Sequence, residues 1–218
     1  MDRQLLRQQV WRACLQYVPN QGPVVLCSWC GEPIEDEMDL HEYLVKRSSV
    51  SPDKQPLIMV PENLAPLHHS CHMAHGQERE MAVRCLHHIG HLRGLRRIGE
   101  WYVALWQEHE LGVPRGILIP PGKESVPRAR NYYERGRTRQ AAIPERVDEL
   151  QVGYAIRAWR GKRVKLPEGT NAIMHERMVR AVDDGYWLDY LEGILGWSAA
   201  DYESLRLAQL ARAGVESG

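Results

Sequence analysis

The stretch 62-ENLAPLHHSCHMAHG-76 decides how this sequence is interpreted, because it places four histidines and a cysteine directly behind an asparagine. Within it, His68 and Cys71 are separated by two residues, which is the spacing of a zinc knuckle. His72 follows the cysteine directly. The histidines of this stretch can therefore be metal ligands, catalytic groups, or polar residues crowded at one end of a helix.

A second knuckle lies upstream, in the Cys-x-x-Cys pair of Cys27 and Cys30. A structural zinc ion takes four ligands in a tetrahedron, commonly from two such knuckles. We therefore predict that Cys27, Cys30, His68 and Cys71 bind zinc, with His69 as the alternative to His68. The competing interpretation is an isolated cysteine pair beside an unrelated histidine cluster.

Composition sets the class of protein around this site. The chain has 218 residues, 44% of them hydrophobic, which is enough to bury a core. It has no apolar run near the ~20 residues of a membrane span, and its N-terminus is amphipathic and unlike a signal peptide. In a chain expected to be intracellular, five cysteines argue against a disulfide framework. Cys14 and Cys85 are predicted to be buried. We expect a cytoplasmic protein without membrane contact.

Charge is balanced overall but unevenly distributed. Lys plus Arg and Asp plus Glu number 28 each. Residues 31–45 and 181–204 are acidic, whereas residues 128–139 are basic and include Tyr132 and Tyr133. Clustered arginines interleaved with tyrosines suit phosphate contacts and base stacking, although a solvated connector would have the same composition. The predicted DNA-binding residues are Arg128, Arg130, Arg135, Arg137 and Arg139.

Apolar spacing predicts the secondary structure. Around the knuckles we expect a hairpin at CSWCG, a strand in DEMDLHEYLV, a loop over residues 46–61 that leads into a second strand, and a helix beginning after ENLAPLHHSC. A linker rich in Pro and Gly is predicted over residues 112–127. Helices are predicted over residues 3–18, 144–159, 175–195 and 198–213, and on two stripes that contain Met81 to Leu92 and Leu95 to Trp106.

A second cluster of chemically useful side chains adjoins the predicted zinc site. Asp39, His41 and Glu42 lie on the predicted strand, and His72 begins the predicted helix, with His75 as a second candidate there. A strand and a helix held together by zinc can present imidazole and carboxylate groups to another, harder cation with open positions for water and phosphate. The structural zinc and a catalytic metal would then be different ions.

The ordered segments CSWC, DLHEYL and ENLAPLHHSCH resemble the HNH endonuclease family over residues 22–80. The resemblance implies a zinc-bound ββα-metal core that hydrolyses DNA phosphodiester bonds with Mg²⁺ or another divalent cation. It also implies that Asn63 braces the loop between the strands and that His72 is the metal ligand on the helix.

The sequence departs from this family at two positions. His68 stands where the family usually has cysteine, which zinc tolerates. Glu42 stands where many members have a second histidine, and a free glutamate near pKa ~4.3 is a weaker base than histidine near ~6.5. Either His41 binds the metal and Glu42 is the base, or His41 is the base and Asp39 binds the metal.

The expected architecture is α+β and mainly helical. It comprises an N-terminal helix (1–21), the HNH domain (22–80), connecting helices (81–112) and a helical region (113–218) that positions DNA or dimerises. The expected function is a metal-dependent endonuclease that nicks or cuts DNA, branched DNA included. The alternative is a catalytically degenerate zinc-stabilised DNA-binding module in a phage or mobile-element complex. Either implies a bacterial or phage-encoded chain whose partners are DNA and a second copy or another phage protein.

Overall fold

The computed structural model describes residues 3–35, 37–111, 149–166, 169–197, 200, 201 and 204. In these ranges the chain is α+β and mainly helical, with two separate two-stranded antiparallel sheets. The strands are β1 (Leu15–Val18), β2 (Gly22–Val25), β3 (Met38–Glu42) and β4 (Leu64–His68). The helices are α1 (Arg3–Cys14), α2 (Gln55–Ile58), α3 (His69–His75), α4 (Arg79–Arg93), α5 (Leu95–His109), α6 (Glu149–Trp159) and α7 (Ala172–Ile194). None of these described helices is long and apolar enough to cross a membrane.

The N-terminal helix is shorter than predicted. The expected helix over residues 3–18 is wrong at its C-terminal end, since α1 stops at Cys14 and the next four residues form β1. β1 pairs with β2, with Val18 opposite Gly22. The tight connection uses positive φ angles at Asn20 (67°) and Gly22 (80°), which these two residue types tolerate. The hairpin ladder therefore replaces the last helical turn.

A strand–strand–helix unit follows the knuckle. β3 and β4 pair in antiparallel fashion, with Met38 opposite His68. α3 begins at His69, three residues before the predicted start, so the helix follows β4 without a loop. The connection predicted as loop contains a 3-10 turn at Arg47–Ser49 and the short helix α2. The return strand of the knuckle is reduced to one bridge, between Leu26 and Pro33.

One apolar core joins this unit to the helices around it. It includes side chains from α1, β4, α4, α5 and α7, for example Val10, Leu67, Ile89, Ile98 and Leu191, all fully buried. The predicted burial of Cys14 and Cys85 is confirmed, because both are 0% exposed. The two predicted apolar stripes correspond to α4 and α5, which meet at Gly94 with a φ of 86°. The site described below therefore lies on a well-packed support.

The C-terminal helix α7 attaches to α5 through a polar and an aromatic contact, and α6 attaches to α7 through the same polar group. Asp183 accepts two hydrogen bonds from Arg96, at 2.9 and 2.7 Å, and one from Trp159 Nε1 at 2.9 Å. A Cβ atom added to Gly99 would lie 2.1 Å from the Trp187 ring. A side chain at position 99 would therefore separate α5 from α7.

A half-buried histidine on α4 makes the stability of the fold depend on pH. His88 Nδ1 lies 2.7 Å from Ser28 Oγ, and Nε2 lies 2.9 Å from Gln16 Nε2. Burial, with a smaller effect of His91, lowers the pKa of His88 to about 4. Since the unfolded pKa is near ~6.5, the unfolded chain takes up a proton that the folded chain refuses, and stability falls as the pH drops from 6.5 towards 4.

We expect His88→Gln to remove this pH dependence, because glutamine can keep both hydrogen bonds without titrating. Between pH 7.5 and 5.0, the wild-type free energy of unfolding should fall by about 2 kcal/mol more than that of the variant. Urea unfolding at the two pH values measures the difference. Equal losses in the two proteins would contradict the assignment.

Candidate functional site

The four residues predicted to bind zinc come together. One ligand atom each of Cys27, Cys30, His68 and Cys71 lies within 4.8 Å of the others, and no other such group occurs among the residues that the structure describes. Their elements are far apart in sequence, since the first pair lies before β3 and the second at the junction of β4 and α3. This Cys₃His cluster could hold a metal such as zinc.

Hydrogen bonds orient the cluster for a metal. The first knuckle turns at Gly31, whose N–H donates to the Cys27 carbonyl at 2.9 Å with φ at 79°. His68 Nε2 lies 3.0 Å from the Pro33 carbonyl oxygen, while its Nδ1 lies 3.4 Å from Cys30 Sγ. Because a carbonyl only accepts, Nε2 is the protonated nitrogen and Nδ1 keeps its lone pair towards the thiols. This is how proteins commonly orient a histidine ligand.

His69, the alternative ligand, points elsewhere. Its Nδ1 lies 2.9 Å from Asp39 Oδ2, and its side chain is 74% exposed. The structure therefore brings His68, and not His69, to the cysteines.

The thiols of the cluster differ in their electrostatics. Burial raises the pKa of Cys71 to about 12, and the neighbouring Cys27 and Cys30 add to this. Burial acts in the same direction on Cys27, but N–H groups of the backbone, including those of Cys30 and His68, outweigh it and lower that pKa. Three thiolates this close repel one another, so simultaneous deprotonation calls for a bound cation.

The knuckle also contacts the helices through Trp29. The indole ring stacks on His75 at 4.3 Å between centroids, and the Arg84 guanidinium lies 4.4 Å from the ring centroid. His75 Nδ1 lies 2.9 Å from Glu78 Oε1. His75 is thus packed against the zinc knuckle. The sequence shows the tryptophan between the two cysteines but gives no signal of its partners.

A groove of about 570 Å³ opens beside the cluster, and we call it the site groove. It is lined by Leu40, His41, Glu42, Lys46, Arg47, Ser48, Gln55, His72, Gly76 and Gln77. The rings of His41 and His72 meet edge to face at 5.2 Å between centroids. Across the described ranges, Asp39, His41 and His72 do not form a second group of ligand atoms within 4.8 Å of one another.

Asp39 lies behind the helix histidines. Its Oδ2 accepts hydrogen bonds from Nδ1 of His69 at 2.9 Å and from Nδ1 of His72 at 3.0 Å. Burial alone would raise the pKa of Asp39, but the hydrogen bonds from His72 and His69 lower it below its ordinary value. The ionised carboxylate accepts from Nδ1 of His72, so the lone pair of the neutral His72 ring is on Nε2.

His41 is a buried neutral imidazole. It is 3% exposed, and its Nε2 lies 3.2 Å from Lys46 Nζ. Because an ammonium only donates, Nε2 carries the lone pair. Burial, followed by the charges of Lys46 and His72, lowers the pKa of His41 to about 3. His41 is therefore unprotonated throughout the physiological pH range.

Glu42 is held by a residue that the sequence analysis did not single out. Its Oε2 accepts a hydrogen bond from the Arg47 backbone N–H at 2.7 Å, and its Oε1 forms an ion pair with the Arg47 guanidinium. The side chain is only 10% exposed. Both carboxylate oxygens of Glu42 therefore already have a partner.

Asn63 joins the loop after β3 to the chain before β4. It is 0% exposed. Its Oδ1 accepts from the N–H groups of Leu44 at 3.1 Å and Val45 at 2.9 Å, and its Nδ2 donates to the carbonyls of Val45 at 2.8 Å and Ile58 at 3.0 Å. One side chain thus serves four backbone groups that have no helical or strand partner there.

We expect Asn63→Ala to lower the free energy of unfolding by at least about 3 kcal/mol, because each buried backbone group left without a partner costs about 1–3 kcal/mol. Asn171→Ala is the matched control, since Asn171 caps α7 through a single exposed hydrogen bond to the Met174 N–H. Loss of that cap should cost about 1 kcal/mol. Urea unfolding compares the two, and similar costs would contradict the bracing role.

Gly76 is a second residue that sequence reasoning missed. Its N–H donates to the His72 carbonyl at 2.9 Å. A Cβ atom at this position would lie 2.5 Å from that carbonyl oxygen and 2.9 Å from His72 Cδ2. The glycine is therefore needed where the chain passes the His72 ring, although in the sequence it reads only as a helix end.

The remaining predicted site residues lie outside the described ranges. These are the arginines of the basic segment, namely Arg128, Arg130, Arg135, Arg137 and Arg139. The predicted linker over residues 112–127 and most of the helix predicted over residues 198–213 also lie outside the described ranges. No family model, curated protein or solved structure matches the chain.

Proposed function

We propose that this chain is a metal-dependent endonuclease of the HNH type, which hydrolyses DNA phosphodiester bonds. β3, β4 and α3 would form its ββα-metal core, and the Cys₃His cluster would hold a structural zinc ion. One observation carries the proposal. His41 and His72, from a strand and a helix, line the same groove with their ring centroids 5.2 Å apart, and in the neutral form of each ring the hydrogen bonds leave the lone pair on Nε2.

The donor set of the site groove fits a divalent ion that accepts imidazole nitrogen. Imidazole suits transition metals such as Ni²⁺, whereas Mg²⁺ and Mn²⁺ prefer oxygen ligands, so an ion such as Ni²⁺ would suit two histidines better than Mg²⁺ does. A bound ion would polarise the phosphate and stabilise the leaving oxygen. His41 and His72 would hold it through Nε2, in the case of His41 after its contact with Lys46 Nζ is released. Asp39 would then orient His72 from behind, in the carboxylate–histidine arrangement common at metal sites.

The proton acceptor follows from this division. If His41 is a metal ligand, its lone pair is in use, and Glu42 is the remaining side chain on the groove that can accept a proton. Arg47 would fix the direction of the Glu42 carboxylate, and the attacking water would transfer its proton to it. Lys46, beside His41, would add positive charge for the scissile phosphate.

The zinc cluster would support the site by holding His72 in place. Cys71 directly precedes His72, so a metal bound at the cluster holds the first turn of α3 against β3. The basic segment around Arg130 would add contacts to the DNA, and a second copy of the chain or a phage protein would be a further partner. Zinc would have a structural role only.

Cleavage assays test the proposal. The protein is incubated with a panel of linear, nicked, flapped, four-way and single-stranded DNA. Each substrate is tested with Mg²⁺, Mn²⁺, Ni²⁺ or no added ion. Omitting the ion is a cleaner control than a chelator, which would also remove structural zinc. We expect cleavage only with an added divalent ion. Purified, zinc-loaded protein that cleaves none of these substrates with any ion would refute the proposal.

The second candidate is a zinc-stabilised DNA-binding module without catalysis. The observation that favours it is the engagement of both Glu42 oxygens by Arg47, which leaves the groove without a free carboxylate to act as the base. Salt-dependent DNA binding with no cleavage under any ion would support this candidate.

Glu42→His separates the two candidates further. A histidine at this position is a stronger base near neutral pH, so we expect metal-dependent cleavage at pH 7 to rise in the variant. The assay compares initial rates on the best substrate of the DNA panel. An inactive variant that still folds and binds zinc would favour the binding module.

A further inference from the structure

A second groove adjoins the site groove. It has a volume of about 290 Å³, and we call it the α1 groove. Arg47 and Gln55 line both grooves, so the two grooves are adjacent, and we call the two together the depression. The other residues of the α1 groove are Arg3, Leu6, Pro52, Pro56 and Met59. The depression therefore runs from the histidines of the site groove to the first residue of α1.

The charge along this depression is positive. Lys46, Arg47 and Arg3 succeed one another, and the only carboxylate among the lining residues of either groove is Glu42, which Arg47 neutralises. The Arg47 side chain is still 54% exposed, so part of its guanidinium remains available to a ligand. A polyanion that enters the site groove is attracted towards Arg3.

The opposite side of α1 differs. There a third depression contains Arg7, Arg12 and Glu37, and Glu37 forms an ion pair with Arg7. Glu37 belongs to the acidic segment over residues 31–45. This side therefore attracts a polyanion less than the α1 groove does. The charges thus favour the α1 groove for a polyanion that leaves the site groove.

The walls of the α1 groove suit a sugar–phosphate backbone. Its lining combines apolar side chains, Leu6, Pro56 and Met59, with the cations Arg3 and Arg47. Deoxyribose can pack on the apolar part while phosphates meet the arginines. Contacts of this kind position a nucleic acid without reading its sequence.

We propose that the DNA strand continuing beyond the scissile bond lies along the α1 groove, with Arg47 and Arg3 contacting successive phosphates. This inference deepens the proposed function and rests on it for the location of the scissile bond. The N-terminal helix is then part of the DNA-binding surface, and its contribution is electrostatic and independent of base sequence.

Salt-dependent binding of a fluorescein-labelled 20-base-pair duplex tests this contact. Anisotropy titrations without added divalent ion compare the wild-type chain with Arg3→Ala, Arg3→Lys and Arg12→Ala. Each lost phosphate contact lowers the slope of log K against log salt by about 0.9. We expect that loss, with several-fold weaker binding, for Arg3→Ala, whereas Arg3→Lys should keep the wild-type slope. Arg12→Ala, on the other side of the same helix, should also keep it.

The outcomes separate this inference from the proposed function. Equal slopes for Arg3→Ala and Arg12→Ala would overturn the α1 path even if the protein cleaves DNA. A reduced slope for Arg3→Ala alone would support the path even if no ion supports cleavage. A wild-type chain that does not bind the duplex would also overturn it.

Discussion

Replacing His72 by alanine is expected to abolish metal-dependent DNA cleavage and to leave the fold intact. His72 would supply one of two imidazole nitrogens to the ion, and a bound ion contributes several kcal/mol to transition-state stabilisation. Its loss should therefore lower the cleavage rate by at least about 10²-fold, at 1.36 kcal/mol per tenfold change. The side chain is partly exposed and outside the apolar core, so its truncation should change the unfolding midpoint little.

His69→Ala is the matched control, because His69 makes the same type of hydrogen bond to Asp39 but does not line the site groove. Its cleavage rate should stay within about tenfold of wild type, the lower end of the effect of losing a supporting contact at a metal site. Initial rates with Mn²⁺ and circular dichroism of both variants check the comparison. Equal loss in the two variants would mean that Asp39, and not His72, is the important group.

Replacing Cys27 by serine is expected to remove the structural zinc and to destabilise the whole chain. The thiol is 1% exposed and belongs to the apolar core, so the buried serine that replaces it would neither bind zinc well nor pack as cysteine does. Structural zinc sites contribute on the order of 10–16 kcal/mol of apparent binding free energy, which exceeds the stability of most domains. Zinc content should fall from about one ion per chain towards zero, and cooperative unfolding should weaken or disappear.

Cys85→Ala controls for the loss of a buried thiol. Cys85 is 0% exposed but lies outside the metal-binding group, so this variant should keep its zinc and lose only the packing of one sulfur atom. Elemental analysis and thermal unfolding of the two variants supply the comparison. Full zinc occupancy in Cys27→Ser would show that the cluster is not a zinc site.

The parts of the fold that follow local rules were predictable. The spacing of His68 and Cys71 and of Cys27 and Cys30 indicated one four-ligand cluster, and the structure gathers those residues. The apolar stripes of α4 and α5 and the strand that contains His41 follow from periodicity in the same way. The apolar stripes, the strand and the spacing inside each knuckle depend on neighbours within a few residues, whereas the joining of the two knuckles followed from the four ligands that zinc takes.

Long-range partners were not predictable. The last turn of the expected N-terminal helix became β1 because Gly22 and the residues after it offer a hairpin partner, which no helical pattern reveals. The pairing of Asp39 with His72 joins a strand to a helix residue 33 positions away, and nothing in the local spacing indicates it. Arg47 was missed because nothing in the spacing shows that its guanidinium turns back to Glu42.

The direct passage from β4 into α3 leaves no freedom in the spacing of the residues at this junction. A helix advances by about 100° per residue, so one residue inserted between Cys71 and His72 would turn the imidazole to another side of α3 while the cluster stayed closed. Insertions between Ser49 and Gln55 meet no such restriction, because the 3-10 turn and α2 are separated there by irregular chain. Length variation should therefore be tolerated on one side of Asn63 and excluded on the other.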